Sequence, residues 1–253
     1  GCPMAIEVSS ESGLCTLRLA RPEKQNALTL AMYSTLASAL RAAEADASVQ
    51  AVLVMGQPGV FCAGNDLADF LAHPPTGLAA PPYQFMQAVL ALGKPLVAAV
   101  DGAAVGIGAT FLLHCDLVYM SERSRLVYPF VPLGLTPEFG SSLLLPRRLG
   151  PQRAARALLL GEPISAQEAV ALGLASECLA PEAVLPRAHE AIARLAAAPG
   201  NAPLAAKRLM RQREGSEIQA AISIEARIFA AQLANPATQA TLRAVLEKRG
   251  GRP

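Results

Sequence analysis

The chain has 253 residues, of which 52% are apolar and 17% charged, with a formal net charge of +2. That length holds one large domain or two small ones, and the apolar share supplies a core. A near-neutral balance without a basic tract excludes nucleic acid as the main partner, and no apolar run reaches the roughly 18 residues of a membrane span.

In chain order, a short strand is expected around Ile6–Val8 and a second over Leu14–Leu19, where apolar and polar residues alternate. Arg21-Pro22-Glu23-Lys24 reads as a loop, and Thr29 as the N-cap of a helix to about Glu44. Ala51–Met55 is a core strand that feeds GQPGVFCAGNDLADFLAH, where Asn65 or Asp66 can cap a short helix. Asp66 and Asp69 have no further oxygen ligands close by in sequence, so capping is expected and a metal site is not. His73 to Pro82, with four prolines, is loop. A helix over Tyr83–Leu92 and an apolar strand over Leu96–Val100 follow.

That strand breaks into Gly102, Gly106 and Gly108, after which an apolar, helix-like segment runs to Cys115. Glycines between a strand and a helix let backbone N–H groups approach a bound group closely. Such donors can hold a short-lived anion such as an enolate oxygen. Leu117–Met120 and Leu126–Tyr128 read as strands, and a helix is expected from near Pro137 to Leu145. Glu138 is the one acid between Leu126 and Leu145. A donor site and a lone acid against an apolar wall are the ingredients of proton transfer beside a carbonyl. GAAVGIG has neither GxGxxG spacing nor a following Lys-Ser/Thr, which rules out a dinucleotide or P-loop reading.

From Pro151 onward the pattern is helical: Pro151–Leu160, Ser165–Leu172 with a Ser165/Glu168 capping box, Pro181–Ala198, Ala202–Arg213, Glu217–Leu233 and Pro236–Lys248. A boundary is placed between residues 4–198 and a helical region, 199–253, that packs on the core or on another subunit. The five cysteines and three histidines are dispersed without metal spacing, so reduced core thiols and a packed His114 are expected, and no metal. Gly1-Cys2-Pro3 precedes Met4, which reads as the natural start. No leader is seen, and Gly-Gly-Arg-Pro at the end is not a peroxisomal signal, so a cytoplasmic protein is expected.

RPEKQNAL, FCAGNDL and GAAVGIGATFLLHCDLVYMSE, in this order and spacing, resemble the crotonase (enoyl-CoA hydratase/isomerase) superfamily over about Ile6 to Lys248. The resemblance implies an α/β fold: a ClpP-like spiral of ββα units with a helical C-terminal region used in trimerisation, as a homotrimer or dimer of trimers. It implies an acyl-CoA substrate, with coenzyme A part of that substrate and no separate cofactor. It also implies an oxyanion hole of two backbone N–H groups, carried by motif onto Ala63 and Ile107. Lys24 and Ala27 fall on the CoA-contacting loop, and Gly64, Asn65, Asp66 and Leu67 on the second binding segment.

Hydratases of the family use two glutamates, and Thr110 and Phe130 stand at those positions here. Glu138, in PEFGSS, instead resembles the single acid of the peroxisomal-type Δ3,Δ2-enoyl-CoA isomerases, which implies a base with a raised pKa and a role in fatty-acid metabolism. The readings left open are hydration by a rearranged site, dienoyl-CoA isomerisation, and a non-catalytic acyl-CoA-binding paralogue.

Overall fold

The computed structural model describes residues 4–250; the reading of the first three residues and of the Gly-Gly-Arg-Pro ending falls outside them, in the last case from Gly251 on. The chain is α/β, as expected. Strands β1 (Ile6–Glu11), β2 (Leu14–Leu19), β3 (Ala51–Met55), β4 (Leu96–Val100), β6 (Leu117–Ser121) and β9 (Glu177–Leu179) form one six-stranded sheet in the order β1-β2-β3-β4-β6-β9. The β1–β2 pair is an antiparallel hairpin, and every later pairing in that sheet is parallel. β5 (Ala103–Val105), β7 (Arg125–Val127) and β8 (Ile164–Ser165) make a second, three-stranded sheet. The chain therefore passes from a strand of the large sheet to one of the small sheet and then into a helix, which is the strand–strand–helix spiral.

Alternation along β3 and β4 serves two cores. Val52, Val54, Leu96, Ala98 and Val100 face the main core, while Leu53, Val97 and Ala99 face Val184, Ala188 and Ile192 of α8 (Pro181–Ala196). Both faces are covered, so the strands are apolar throughout. On the main face, α1 (Leu30–Ala45) buries Met32, Tyr33, Leu36 and Leu40, a helical stripe that packs against α3 (Pro81–Ala91). Thr29 caps α1 as expected, accepting from the Met32 N–H at 3.2 Å. Asp66 caps α2 (Leu67–Ala72) by accepting from the Asp69 N–H at 3.0 Å. Ser165 accepts the Glu168 N–H at 3.1 Å, but the Glu168 side chain pairs with Arg156 rather than closing the capping box.

Several elements differ from the sequence reading. The apolar segment after Gly106 is one short α-turn, α4 (Ile107–Thr110), that tightens into a 3-10 helix over Phe111–His114. The helix expected near Pro137 begins at Ser141 (α5, Ser141–Leu149), because Phe139 and Gly140 take left-handed φ of 56° and 75°. Strands β5, β8 and β9, of two or three residues each, carry no periodicity of their own.

Beyond the turn at 197–201, α9 (Ala202–Arg211), α10 (Gly215–Leu233) and α11 (Pro236–Gly250) lie against the rest of the chain. Ile218, Ile222, Phe229, Leu233 and Leu242 join the main core. Lys207 pairs with Asp116 at 2.8 Å and donates to the Lys94 carbonyl at 2.7 Å. Cys15, Cys62 and Cys115 are buried free thiols and Cys178 is half-buried; Cys2 lies outside the described residues. No helix among the described residues is long and apolar enough to cross a membrane.

Candidate active site

The two motif loops that carry the proposed site residues are stitched together by their backbones. The Leu28 N–H donates to the Gly64 carbonyl at 2.8 Å and the Asp66 N–H to the Leu28 carbonyl at 2.9 Å. Asn26, fully buried, ties the first loop down: its Nδ2 donates to the Phe61 carbonyl and Gln57, and its Oδ1 accepts the Arg21 N–H. Gln25 and Asn26 both have left-handed φ, near 53° and 55°, so the loop turns back sharply enough to meet the second motif. Arg21 pairs with Asp66 at 2.7 Å. Burial raises the Asp66 carboxyl, yet the Asp69 N–H and Arg21 outweigh it and hold the group below its usual range. Lys24 is exposed beside this pair, while Ala27 and Leu67 are buried. Lys24, Ala27, Gly64, Asn65, Asp66 and Leu67 lie on the two loops so joined, and the sequence gave no sign that Asn26 binds those loops together.

The donor at the second motif requires a correction. The Ala63 N–H already donates to the Gln25 carbonyl at 3.0 Å, so it is not free to meet a ligand. Cys62 bridges Ala104 in parallel, with Cys62 N–H to the Ala103 carbonyl and Val105 N–H to the Cys62 carbonyl. Carrying that register on sets Gly64 beside Gly106 and Asn65 beside Ile107. Both glycines have positive φ, 92° and 59°, and a Cβ on Gly64 would lie 2.9 Å from the Val105 carbonyl oxygen. Neither the Asn65 N–H nor the Ile107 N–H has an acceptor among the described residues. The Asn65 side chain is held from behind, where its Oδ1 accepts the hydroxyl of buried Tyr33. Ile107 itself is 1% exposed and adopts an ordinary helical backbone at the first position of α4, so its side chain costs nothing at the donor.

Glu138 is 6% exposed, and burial pushes its carboxyl up to about 8. The Thr110 hydroxyl, 2.7 Å from Oε1, favours the ionised form, and nearby Glu225 opposes it. Phe130, Leu135 and Phe139, expected as its apolar wall, are all buried. The Glu138 carbonyl accepts the Ser141 N–H and hydroxyl, which closes the turn into α5. His114 is a packed neutral imidazole as expected, driven down to about 3 by burial. It has a structural task that the sequence did not disclose. Its ring stacks on Phe139 with centroids 4.0 Å apart, and Nε2–H donates to the Phe139 carbonyl at 2.7 Å. Glu225 of α10 was also missed. The available signal was its place in Ile218, Ile222, Glu225, Phe229, an acid on an apolar stripe of helical spacing. An unengaged pair of N–H donors and a buried, protonatable carboxyl are together suited to forming and quenching an enolate.

A family model described as enoyl-CoA hydratase/isomerase matches residues 9–252. Enoyl-CoA delta isomerase 2 of Homo sapiens is 33% identical over 231 residues, covering 88% of this chain and 58% of that protein. The chain spans a little over half the length of that isomerase and of its Rattus norvegicus counterpart. The 2,3-dehydroadipyl-CoA hydratase of Escherichia coli (strain K12) is 32% identical over 246 residues, covering 96% of this chain and 95% of its own. Among solved structures, Pseudomonas aeruginosa OdaA superposes with a TM-score of 0.94 at 46% identity, covering 96% of this chain and 99% of the other.

Proposed function

This chain belongs to the enoyl-CoA hydratase/isomerase family, and from that premise we propose that it shifts the double bond of a 3-enoyl-CoA to the 2-position, with Glu138 as the single proton carrier. The observation that carries this reading is the buried Glu138 carboxyl, whose Oε1 accepts from Thr110 while Oε2 has no partner among the described residues; by the resemblance, Thr110 and Phe130 stand where hydratases have their two glutamates. The free carboxylate oxygen of Glu138, Oε2, takes a proton from C2 of the thioester. The electron pair left on C2 delocalises onto the adjacent thioester carbonyl oxygen, where the Asn65 and Ile107 N–H groups hold the charge, and the C3–C4 double bond extends the dienolate to C4. The same oxygen returns the proton at C4, leaving the double bond between C2 and C3. A group with pKa about 8 can perform both steps near neutral pH. Lys24 and Ala27 are assigned to the CoA moiety, which arrives as part of the substrate, and no separate cofactor is required.

The likeness to a delta isomerase supports this reading, while the comparable likeness to a hydratase keeps water addition as the second one. The discriminating experiment assays the wild type and Glu138→Gln on a 3-enoyl-CoA and, separately, on a 2-enoyl-CoA. Isomerisation of the first without water addition, abolished in the variant, is the expected result. Hydration of the second by the wild type would overturn the proposal. Binding of both without turnover would make the chain an acyl-CoA-binding relative.

A homotrimer or dimer of trimers is part of the same proposal. It is supported by Leu204, Leu209 and Met210 on α9 and by Ile224 and Ile228 on α10, which stand exposed on the single chain. Light scattering on the purified protein tests it, and a monomeric mass would refute it.

A further inference from the structure

We propose that Glu225, a buried carboxylate contributed by the C-terminal helix α10, is a positioning residue for the base, holding the strained turn on which Glu138 is mounted. The proposal rests on Glu138 being the proton carrier. Glu225 Oε1 accepts the Gly140 N–H at 2.7 Å, and Oε2 accepts the Ser142 N–H at 3.1 Å and the Ser142 hydroxyl at 2.6 Å. Three donors and no acceptor meet it, which is the arrangement that an ionised carboxylate satisfies and a protonated one does not.

The location of those donors gives the contact its purpose. Phe139 and Gly140 both lie at positive φ, and a phenylalanine there is strained unless its surroundings fix it. His114 fixes the carbonyl side of the turn at Phe139, and Glu225 fixes the N–H side at Gly140 and Ser142. The base is the residue immediately before this doubly held pair. If either anchor lets go, the turn can relax toward ordinary helix and carry the Glu138 side chain off its line to the donors.

Charge adds a second consequence. Facing Glu225 are Glu138, Tyr83 of α3, and His114 across Gly140, the last neutral. Its charge is balanced by hydrogen bonds, and none of the ion pairs among the described residues includes it. Burial raises both carboxyls; three donors oppose that rise at Glu225, against one at Glu138, which is pushed up to about 8. Glu225 is therefore part of the reason that Glu138 holds its proton to a higher pH.

The test compares wild type, Glu225→Gln and Glu225→Asp in steady-state kinetics on a 3-enoyl-CoA from pH 6 to 10, alongside thermal melting and Glu138→Gln as reference. Glutamine cannot accept from both N–H groups, and it removes the like charge. We expect kcat to fall about 10- to 100-fold with KM little changed, and the rising limb of the pH profile to move down by about one unit. Aspartate keeps the charge but is a methylene short, so kcat should fall while the limb stays in place. A variant that only loosened the fold would lower the melting temperature without moving the limb. Wild-type kcat and an unmoved limb in Glu225→Gln would overturn the proposal; should that variant not fold, wild-type kcat in Glu225→Asp would do so. If Glu138→Gln itself remains active, it is the reading of the base that fails.

Discussion

The Thr110 hydroxyl donates to Glu138 Oε1 at 2.7 Å, and both residues are almost wholly hidden from solvent. In the proposed reaction this threonine serves the acid that carries the proton. It occupies Oε1 and leaves Oε2 as the oxygen to which that proposal assigns the proton at both carbon atoms. Thr110→Val keeps the shape and deletes the donor that favours the ionised form. The rising limb of kcat/KM should then move to higher pH by about one unit, with activity at pH 7 down about tenfold. An unchanged profile would mean that the hydroxyl does not act on the base.

The same carboxyl gives opposite pH dependences for activity and stability. The base must be ionised to work, so kcat/KM should rise through about pH 8. For stability, the folded group keeps its proton up to about 8, whereas an unfolded glutamate releases it near 4.5. Between those values the folded state binds more protons, so its contribution is fully present below 4.5 and is lost as pH rises through 8. The melting temperature of the wild type should therefore fall from pH 6 to 9 more steeply than that of Glu138→Gln. Parallel melting curves would show that Glu138 is not the titrating group.

If the donors are backbone N–H groups, glycine geometry should matter more than the donor's own side chain. Gly64→Ala places a Cβ 2.9 Å from the Val105 carbonyl at a φ of 92°, which displaces the Asn65 N–H. Activity should fall at least about 100-fold, with a stability loss of about 1–3 kcal/mol. Asn65→Ala keeps the donor and leaves the buried Tyr33 hydroxyl without its acceptor. That variant should lose about 1–3 kcal/mol of stability while retaining kcat within about tenfold. The reverse order of effects on kcat would sink the assignment.

Lys24 stands exposed on the loop assigned to CoA. Contact with a part of the substrate remote from the reacting carbons is equal in the ground and transition states, so Lys24→Ala should raise KM and leave kcat unchanged. Free CoA should bind the variant more weakly, and by a factor that shrinks as salt increases. Equal affinity for CoA in both proteins would remove Lys24 from the binding surface.

The parts of the fold that were legible in the sequence are those encoded locally. Leu14–Leu19 alternates, Ala51–Met55 and Leu96–Val100 are apolar runs, and Thr29 precedes its helix, so each declares itself within a few residues. β5, β8 and β9 exist because distant segments offer them partners, as when Glu177 pairs with Tyr119. Glu138 was visible as a lone acid in an apolar stretch. Its mounting was not, because the left-handed Phe139 is maintained by His114, earlier in the chain, and its neighbour Gly140 by Glu225, far later. That the Ala63 N–H is already engaged escaped the sequence for a similar reason. Whether Ala63 or Asn65 is free depends on the Gln25 carbonyl, and only the folded loop shows where that carbonyl points.

The Glu225 anchor also bears on how the protein comes into being. A growing polypeptide completes every strand of both sheets by Leu179, yet the acceptor for the Gly140 and Ser142 N–H groups emerges only with α10. Until then the N–H side of the turn at Phe139 and Gly140 lacks its acceptor, and Phe70 lacks its edge-on contact with Phe229. The contact that restrains the turn carrying Glu138 is thus completed only after every strand of both sheets has been made.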